Sequence, residues 1–175
     1  MTTAQIVGSV GAAALLFWIV GAYNRLVQLR AALVRQFAPV DEQFRQRQAL
    51  LLQLLGELEA ALAGPEPRLD ALRAACQQLD AACAHARQRP GAAGAITSLR
   101  LADDILSETR ARVPAPIEPG AGLAELQSGL GASDATLAFA RRQFNDAVTE
   151  YNRAVQQFPT VLLVGLFGFR PAGAL

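Results

Sequence analysis

The pattern of apolar and polar positions begins with an uninterrupted apolar run. Residues 6–23 read IVGSVGAAALLFWIVGAY and contain no charged side chain. As an α-helix the run would be about 27 Å long, close to the roughly 30 Å hydrocarbon thickness of a bilayer. Its C-terminal part carries aromatic residues, which are enriched at membrane interfaces. The run therefore predicts a transmembrane anchor formed by Ile6, Leu15, Leu16, Phe17, Trp18, Ile19 and Tyr23.

Two other interpretations of this run stay open. A cleaved signal peptide would need a positively charged start, and residues 1–5 carry no charged side chain. The run is also longer than the usual apolar core of a signal peptide. A buried core helix would need protein on all sides, because the run is apolar all round. We expect the membrane anchor.

The chain beyond the anchor continues with a helical apolar stripe. Its members recur mostly three or four residues apart, which predicts one face of a long helix. They are Leu26, Leu29, Leu33, Phe37, Val40, Phe44, Leu51, Leu54, Leu58 and Leu62. Pro39 interrupts the stripe and predicts a kink near residues 35–36. The sequence GPEP at residues 64–67 predicts the end of the helix.

Three further helices are predicted, over about residues 68–89, 95–112 and 121–158. Proline and glycine at residues 90–91 and three prolines within residues 113–120 separate them. The second stripe is Leu69, Leu72, Cys76, Leu79, Cys83 and Ala86, and the third is Ile96, Leu99, Ala102 or Asp103, and Leu106. The fourth is Leu123, Leu126, Leu130, Leu137, Ala140, Phe144, Ala147, Tyr151, Val155 and Phe158. Gly129 and Gly131 predict a weak point in the fourth helix.

The lengths of these helices predict the fold. The first helix beyond the anchor is about 60 Å long and the fourth about 57 Å, with two shorter helices between them. No segment alternates with period two, so no sheet is expected. The fold class is therefore all-α: an N-terminal transmembrane helix that continues into a long up-and-down antiparallel four-helix bundle. The predicted divisions are 1–23 for the anchor, 24–159 for the bundle and 160–175 for an apolar tail.

The antiparallel topology returns the tail to the membrane. Residues 160–169 read TVLLVGLFGF, a run too short to span a bilayer as a helix. We expect an interfacial or subunit-contact segment built from Phe158, Leu162, Leu163, Leu166, Phe167 and Phe169. The alternative is a tail that folds back onto the end of the bundle.

Composition and charge narrow the class of protein. The 175 residues are 52% apolar with a formal net charge of +1, and all 16 basic residues are arginine. This excludes a disordered charged chain and gives no global electrostatic case for binding nucleic acid. Arg25, Arg30 and Arg35 follow the anchor closely, so the positive-inside rule predicts a cytoplasmic bundle with the N-terminus outside.

Few residues offer chemistry. Cys76 and Cys83 lie about 10.5 Å apart along one helix, too far for a disulfide, and are expected to be buried apolar side chains. His85 lacks a second metal ligand within a helical turn. Asp103 and Asp104 are adjacent and point to different sides of a helix. We expect no catalytic, metal or cofactor site, and therefore no enzyme.

A group of polar residues is expected to make contacts between helices or subunits: Asn24, Arg141, Arg142, Asn145, Asp146 and Asn152. The alternative for two of them is a surface ion pair between Arg142 and Asp146, four residues apart.

Several motifs resemble the bacterial LemA family. Residues 23–30, YNRLVQLR, match the opening YN-x-LV-x-LR of that family, and Val40-Asp41 with Gln43 fall in its next motif. The stronger match runs through residues 138–148, Tyr151-Asn152, Phe158-Pro159 and residues 165–169. Residues 64–95 do not resemble the family closely. The resemblance implies an anchored helical bundle.

The resemblance also shapes the expected function. One relative acts in forming magnetosome membranes, which implies a role in organising or shaping membrane. Some relatives are lipoproteins, so a periplasmic bundle stays open, although Gly21-Ala22 stands where their cysteine would be. We expect a non-enzymatic protein whose partners are the lipid bilayer and further copies of itself. The alternative is a membrane-tethered adaptor that docks a peptidase or sensor.

Overall fold

The computed structural model describes residues 3–61, 66–113 and 121–175. These ranges form five helices: α1 (Thr3–Ala61), α2 (Pro67–Gln88), α3 (Ala93–Ala111), α4 (Ala121–Gln156) and α5 (Val161–Phe167). Their only β-structure is an isolated bridge between Ala92 and Ala172. The all-α class is confirmed. The described ranges hold five helices rather than the expected four, because part of the apolar tail is helical. Leu62, Gly64-Pro65 and residues 114–120 of the expected loop lie outside the described residues.

α1 carries both the apolar run and the first bundle helix without a break, and Pro39 lies inside it. Its first part is almost entirely exposed, and Leu26 is the first buried residue. By length and composition, α1 is long and apolar enough to cross a membrane, the one such helix among the described residues. The helix therefore leaves the packed core near Leu26 and extends outward with its apolar side chains uncovered.

The bundle pairs the long helices in antiparallel order. α1 packs along α4, α2 packs along α3, and α2 also packs against α1. The rings of Phe37 and Phe144 meet at 5.7 Å between centroids, and Leu50 lies beside Gly129 farther along. Residue numbers thus rise on α1 as they fall on α4. The segment that follows α4 is consequently delivered beside the place where α1 leaves the core.

The predicted stripes form the core, with one correction. Most stripe positions of α1 and α4 and all those of α2 and α3 are buried, including both Ala102 and Asp103. Each buried leucine or phenylalanine contributes roughly 2 kcal/mol of transfer free energy. Leu29, Leu126 and Ala147 are partly buried. Phe158 was expected to face inward but is 77% exposed, because α4 ends two residues earlier, at Gln156.

Candidate functional site

The site of interest is the end of the bundle at which α1 leaves the core, which we term the exit end. Here α5 lies against α1: the Tyr23 ring is 5.1 Å from that of Phe167 and 5.9 Å from that of Phe169, centroid to centroid. Tilted and edge-on aromatic pairs of this kind contribute about 0.5–1.5 kcal/mol beyond their burial. The apolar tail and the apolar start of α1 therefore meet at one end of the molecule.

α5 presents an apolar surface that nothing in the described chain covers. Leu162 is 67% and Leu166 is 76% exposed, and Phe158, Val161 and Phe167 are exposed as well. The helix is only seven residues long and stops at Gly168, whose φ of 69° is a left-handed conformation suited to glycine. The side chains of Ile6 and Leu163 lie outside the described part of the structure. The remaining predicted anchor residues are exposed or partly exposed.

Residues 169–175 follow α5 as an extended segment that packs onto the bundle, and we term this segment the strap. Phe169 at its start is 8% exposed. Asn145 donates to the carbonyl of Leu175 at 2.7 Å and accepts from its N–H at 2.9 Å. Asn152 likewise donates to the carbonyl of Ala172 at 2.9 Å and accepts from its N–H at 2.7 Å. Each asparagine thus satisfies both polar backbone groups of one strap residue.

The spacing of these contacts follows from the geometry of the two elements. Asn145 and Asn152 are seven residues apart on α4, which is about 10.5 Å along a helix axis. Ala172 and Leu175 are three residues apart, which is about 10 Å of extended chain. Because the two lengths match, an extended segment running antiparallel to α4 meets both amides in register.

Two further contacts hold the strap to its neighbours. The Tyr151 hydroxyl donates to the carbonyl of Arg170 at 3.0 Å, and the Gly173 N–H donates to the carbonyl of Gly91 at 3.1 Å. Burial raises the pKa of Tyr151 above its usual value, although nearby Arg30 and the contact with Arg170 oppose that rise. The hydroxyl therefore remains a donor at neutral pH, and the strap is fixed between α4 and the turn joining α2 to α3.

The exit end is also strongly basic. Segments 1–40, 81–102 and 147–175 contain eight arginines and one acidic residue, whereas the rest of the chain contains eight arginines and fourteen acidic residues. Seven arginines at this end make no ion pair within the described ranges: Arg25, Arg30, Arg35, Arg89, Arg100, Arg153 and Arg170. The net charge of +1 therefore conceals a bundle with one basic and one acidic half.

A buried ionic network occupies the middle of the bundle. Asp103 on α3 accepts from Arg47 on α1 and, at 2.5 Å, from Arg141 on α4. The Arg47 Nε also lies 2.8 Å from a carboxylate oxygen of Asp134. The Arg141 guanidinium sits above the Phe44 ring, 5.1 Å from its centroid. These charges connect three helices and fix their register.

Sequence reasoning missed Arg47 and Asp134, although the stripes contain a signal. The α1 stripe skips from Phe44 to Leu51 and the α4 stripe from Leu130 to Leu137. Arg47 lies in the first gap, and Asp134 lies in the second. An amphipathic stripe that omits one turn while the helix continues marks a polar group on the core face.

The second ionic contact joins α1 to α2. Asp41 is buried and forms ion pairs with Arg87 at 3.0 Å and with Arg45 at 2.6 Å. It lies in the region that resembles a family motif, but no polar role was assigned to it from the sequence.

The predicted polar residues divide into two groups. Arg141, Asn145 and Asn152 make the contacts described above. Asn24, Arg142 and Asp146 are exposed; Arg142 stacks near the Phe139 ring, 6.0 Å from its centroid. Within the described ranges Arg142 and Asp146 form no ion pair. A subunit contact through these three residues stays a prediction.

The residues considered for chemistry lie apart from the exit end's exposed surface. Cys76 and Cys83 are free and buried. Burial raises the pKa of the Cys83 thiol to about 12, with a smaller contribution from Asp41, and it also raises that of Cys76. His85 and Asp104 are exposed. Both thiols are therefore protonated at neutral pH and poor nucleophiles.

Comparison with known proteins identifies the family. No curated protein matches the chain significantly. The model of the LemA family matches residues 36–175, which include α2 to α5, the strap and most of the bundle part of α1. Because this match covers well over half of the sequence, the chain belongs to the LemA family.

Proposed function

We propose that this protein is a non-enzymatic scaffold, anchored in the bacterial cytoplasmic membrane by α1, that self-associates and organises or shapes the bilayer. One observation carries the proposal: the exposed apolar start of α1 and the exposed apolar surface of α5 lie at the same end of one bundle. A helix that crosses the bilayer thereby delivers a second apolar helix to its surface.

The dimensions of α5 suit the membrane interface. Seven residues extend about 10 Å as a helix, far short of the roughly 30 Å hydrocarbon core. An apolar helix of this size lies in the interface with its apolar face buried about 5–10 Å deep. Because it enters one leaflet only, α5 expands that leaflet relative to the other. Several copies side by side would bend the membrane.

The arginines at the exit end support both the proposed orientation of the bundle and its proposed contact with the membrane surface. Unpaired arginines at the exit end suit an anionic leaflet, where each contributes about 1 kcal/mol of attraction. Three of them, Arg25, Arg30 and Arg35, follow the membrane span directly, which favours a cytoplasmic bundle and an external N-terminus. A periplasmic bundle is the alternative orientation.

Exposed apolar side chains near the tail support self-association. Phe158 and Leu166 are both more than three-quarters exposed, and an apolar surface of this kind is covered by lipid or by another protein chain. Protonated, buried thiols and a lone exposed histidine favour a structural role over catalysis.

The test uses full-length protein reconstituted into vesicles of phosphatidylethanolamine and phosphatidylglycerol. Electron microscopy reports vesicle shape, and mass photometry in mild detergent reports assembly size. We expect assemblies and deformed vesicles from the wild type, and loss of both from Leu162→Gln with Leu166→Gln. The matched control is Leu52→Gln with Leu101→Gln, which also removes two exposed leucines but lies away from α5. Wild-type monomers on undistorted vesicles would overturn the proposal.

An adaptor is the second candidate, and the exposed side of the bundle favours it. Phe139, Leu52 and Leu101 are more than half exposed on α4, α1 and α3. A membrane peptidase or sensor that binds the wild type and the α5 variant equally, but not the control pair or Phe139→Gln, would establish docking through the bundle.

A further inference from the structure

A cavity opens at the exit end, between α1, the turn joining α2 to α3, α4 and the strap. Its volume is about 610 Å³. Three arginines line it, one from each of three elements: Arg30 from α1, Arg89 from the turn and Arg170 from the strap. Leu33, Val34 and several small residues form the apolar part of the wall, and none of the residues that line the cavity is acidic.

These arginines have no carboxylate partner within the described ranges. Eight of the 16 arginines form ion pairs with carboxylates, but the three in the cavity form none within the described ranges. Like charges converging on one space repel each other, and an anion in that space removes the repulsion. The planar guanidinium fork matches the oxygens of a phosphate in particular.

The contacts that hold the strap also position this group. Tyr151 binds the carbonyl of Arg170, and Asn152 holds Ala172, so the strap wall of the cavity is fixed on both sides of Pro171. Arg30 lies close enough to Tyr151 to oppose the rise in its pKa. The three arginines thus stand on well-anchored backbone.

The height of the cavity decides which phosphate it meets. Arg30 follows Tyr23 by seven residues, or about 10 Å along the axis of α1. With the Tyr23 ring at the edge of the hydrocarbon, the backbone of Arg30 lies a few ångströms beyond a polar layer about 5–7 Å thick, and its long side chain is able to reach back to the lipid headgroups. We propose that the cavity binds the phosphate headgroup of an anionic phospholipid, whose glycerol and acyl chains lie on the side of Arg30 that faces the membrane.

This inference rests on the proposed function, because only a membrane-inserted chain meets lipid at that height. A soluble phosphate shares the recognised chemistry, so it forms a separate arm of the test. The lipid is favoured because the cavity lies beside the span.

The experiment titrates phosphatidylglycerol against full-length protein in mild detergent and counts bound lipid by native mass spectrometry. We expect one retained lipid per chain, and an apparent affinity roughly a hundredfold lower in the triple variant Arg30→Gln, Arg89→Gln, Arg170→Gln. The matched control is Arg25→Gln, Arg35→Gln, Arg153→Gln. It removes the same charge from the same end but changes no residue of the cavity. Because detergent presents no charged leaflet and salt screens surface charge, its affinity should stay within about threefold of the wild type.

Three results would overturn the inference. Equal losses in the two triple variants would mean that general surface charge attracts the lipid. Equal retention of phosphatidylcholine and phosphatidylglycerol by the wild type would remove the anionic preference. Glycerol 3-phosphate binding as tightly as the lipid, to protein held in phosphatidylcholine nanodiscs, would reassign the cavity to a soluble phosphate.

A separate measurement keeps this inference distinct from the proposed function. Wild-type protein that washes off vesicles in alkaline carbonate would contradict membrane anchoring itself. Protein that stays in the vesicles but shows no preference for anionic lipid would contradict the cavity site alone.

Discussion

Replacing Asp103 by asparagine should destabilise the bundle more than any other single loss of an acidic charge. The change keeps the size of the side chain but removes the negative charge that Arg47 and Arg141 share. The Asp103 side chain is 7% exposed and that of Arg47 is 6% exposed. After the substitution two guanidinium groups remain in the interior with less to neutralise them.

The expected cost follows from what each arginine retains. Removing one partner of a buried ion pair costs about 3–5 kcal/mol, because the other charge is left buried. Arg47 still has Asp134, whose side chain is 40% exposed, and Arg141 is itself 27% exposed. Water and the remaining carboxylate therefore compensate in part, and we expect about 3 kcal/mol. For a chain of this size that corresponds to a melting temperature lower by roughly 6–12 °C.

The assay is thermal and urea unfolding of the full-length protein in detergent, followed by far-UV circular dichroism. Asp104→Asn is the matched control, because it removes the same charge one residue away at an exposed position without an ion pair in the described ranges. It should change stability by about 0.5 kcal/mol or less. Asp103→Leu combined with Arg47→Met should recover much of the loss, because an apolar pair replaces the buried charges. Equal melting of the two asparagine variants would refute this reasoning.

Three further predictions concern the strap, the thiols and a turn. Asn152→Ala should speed amide hydrogen exchange in the strap by about thirtyfold, since two hydrogen bonds at about 1 kcal/mol each are lost, whereas Asn24→Ala should leave it unchanged. The Cys83 thiol should resist iodoacetamide at pH 8 until the protein unfolds. Its raised pKa gives stability that is present below the ordinary value of 9.0 and is lost as pH rises toward about 12. Gly91→Ala should destabilise by about 1–3 kcal/mol in urea unfolding, because the residue has a φ of 88° and the new methyl would meet a Leu33 methyl at 2.6 Å. Gly131→Ala, at an open helical position, should stabilise by about 1 kcal/mol; the opposite order of these two glycine variants would contradict the structural argument.

The helices were predictable because their information is local. Apolar spacing places Phe37 and Phe144 inward, and the equal lengths of the first and fourth helices predict that they run side by side. The prediction of the helices failed where the tertiary fold ends a helix although the apolar spacing in the sequence continues. The stripe of α4 extends to Phe158 in sequence, but the helix ends before that residue because the chain turns toward α5.

The site was less predictable because its contacts join distant residues. Asn145 and Asn152 were expected to make polar contacts with another helix or subunit, but nothing local indicates that an extended segment will lie across them. Their partners, Ala172 and Leu175, contribute only backbone groups, so their side chains carry no sign of the contact. Seven helical residues and three extended residues have the same length, but this match becomes informative only once the direction of the strap is known.

The distribution of charge shows that the net charge of a chain does not reveal the charge of each end of the folded bundle. A net charge of +1 gives no reason to expect an anionic partner, because it sums the charges of the whole chain. The antiparallel fold brings segments 1–40, 81–102 and 147–175 together, and these contain only one acidic residue, Glu150. Each segment alone carries two or three arginines, an unremarkable number. Folded together they form a basic end beside the apolar helices, so a neutral chain can present to a membrane the surface of a cationic one. A charge argument for a helical bundle should therefore be made for each end separately.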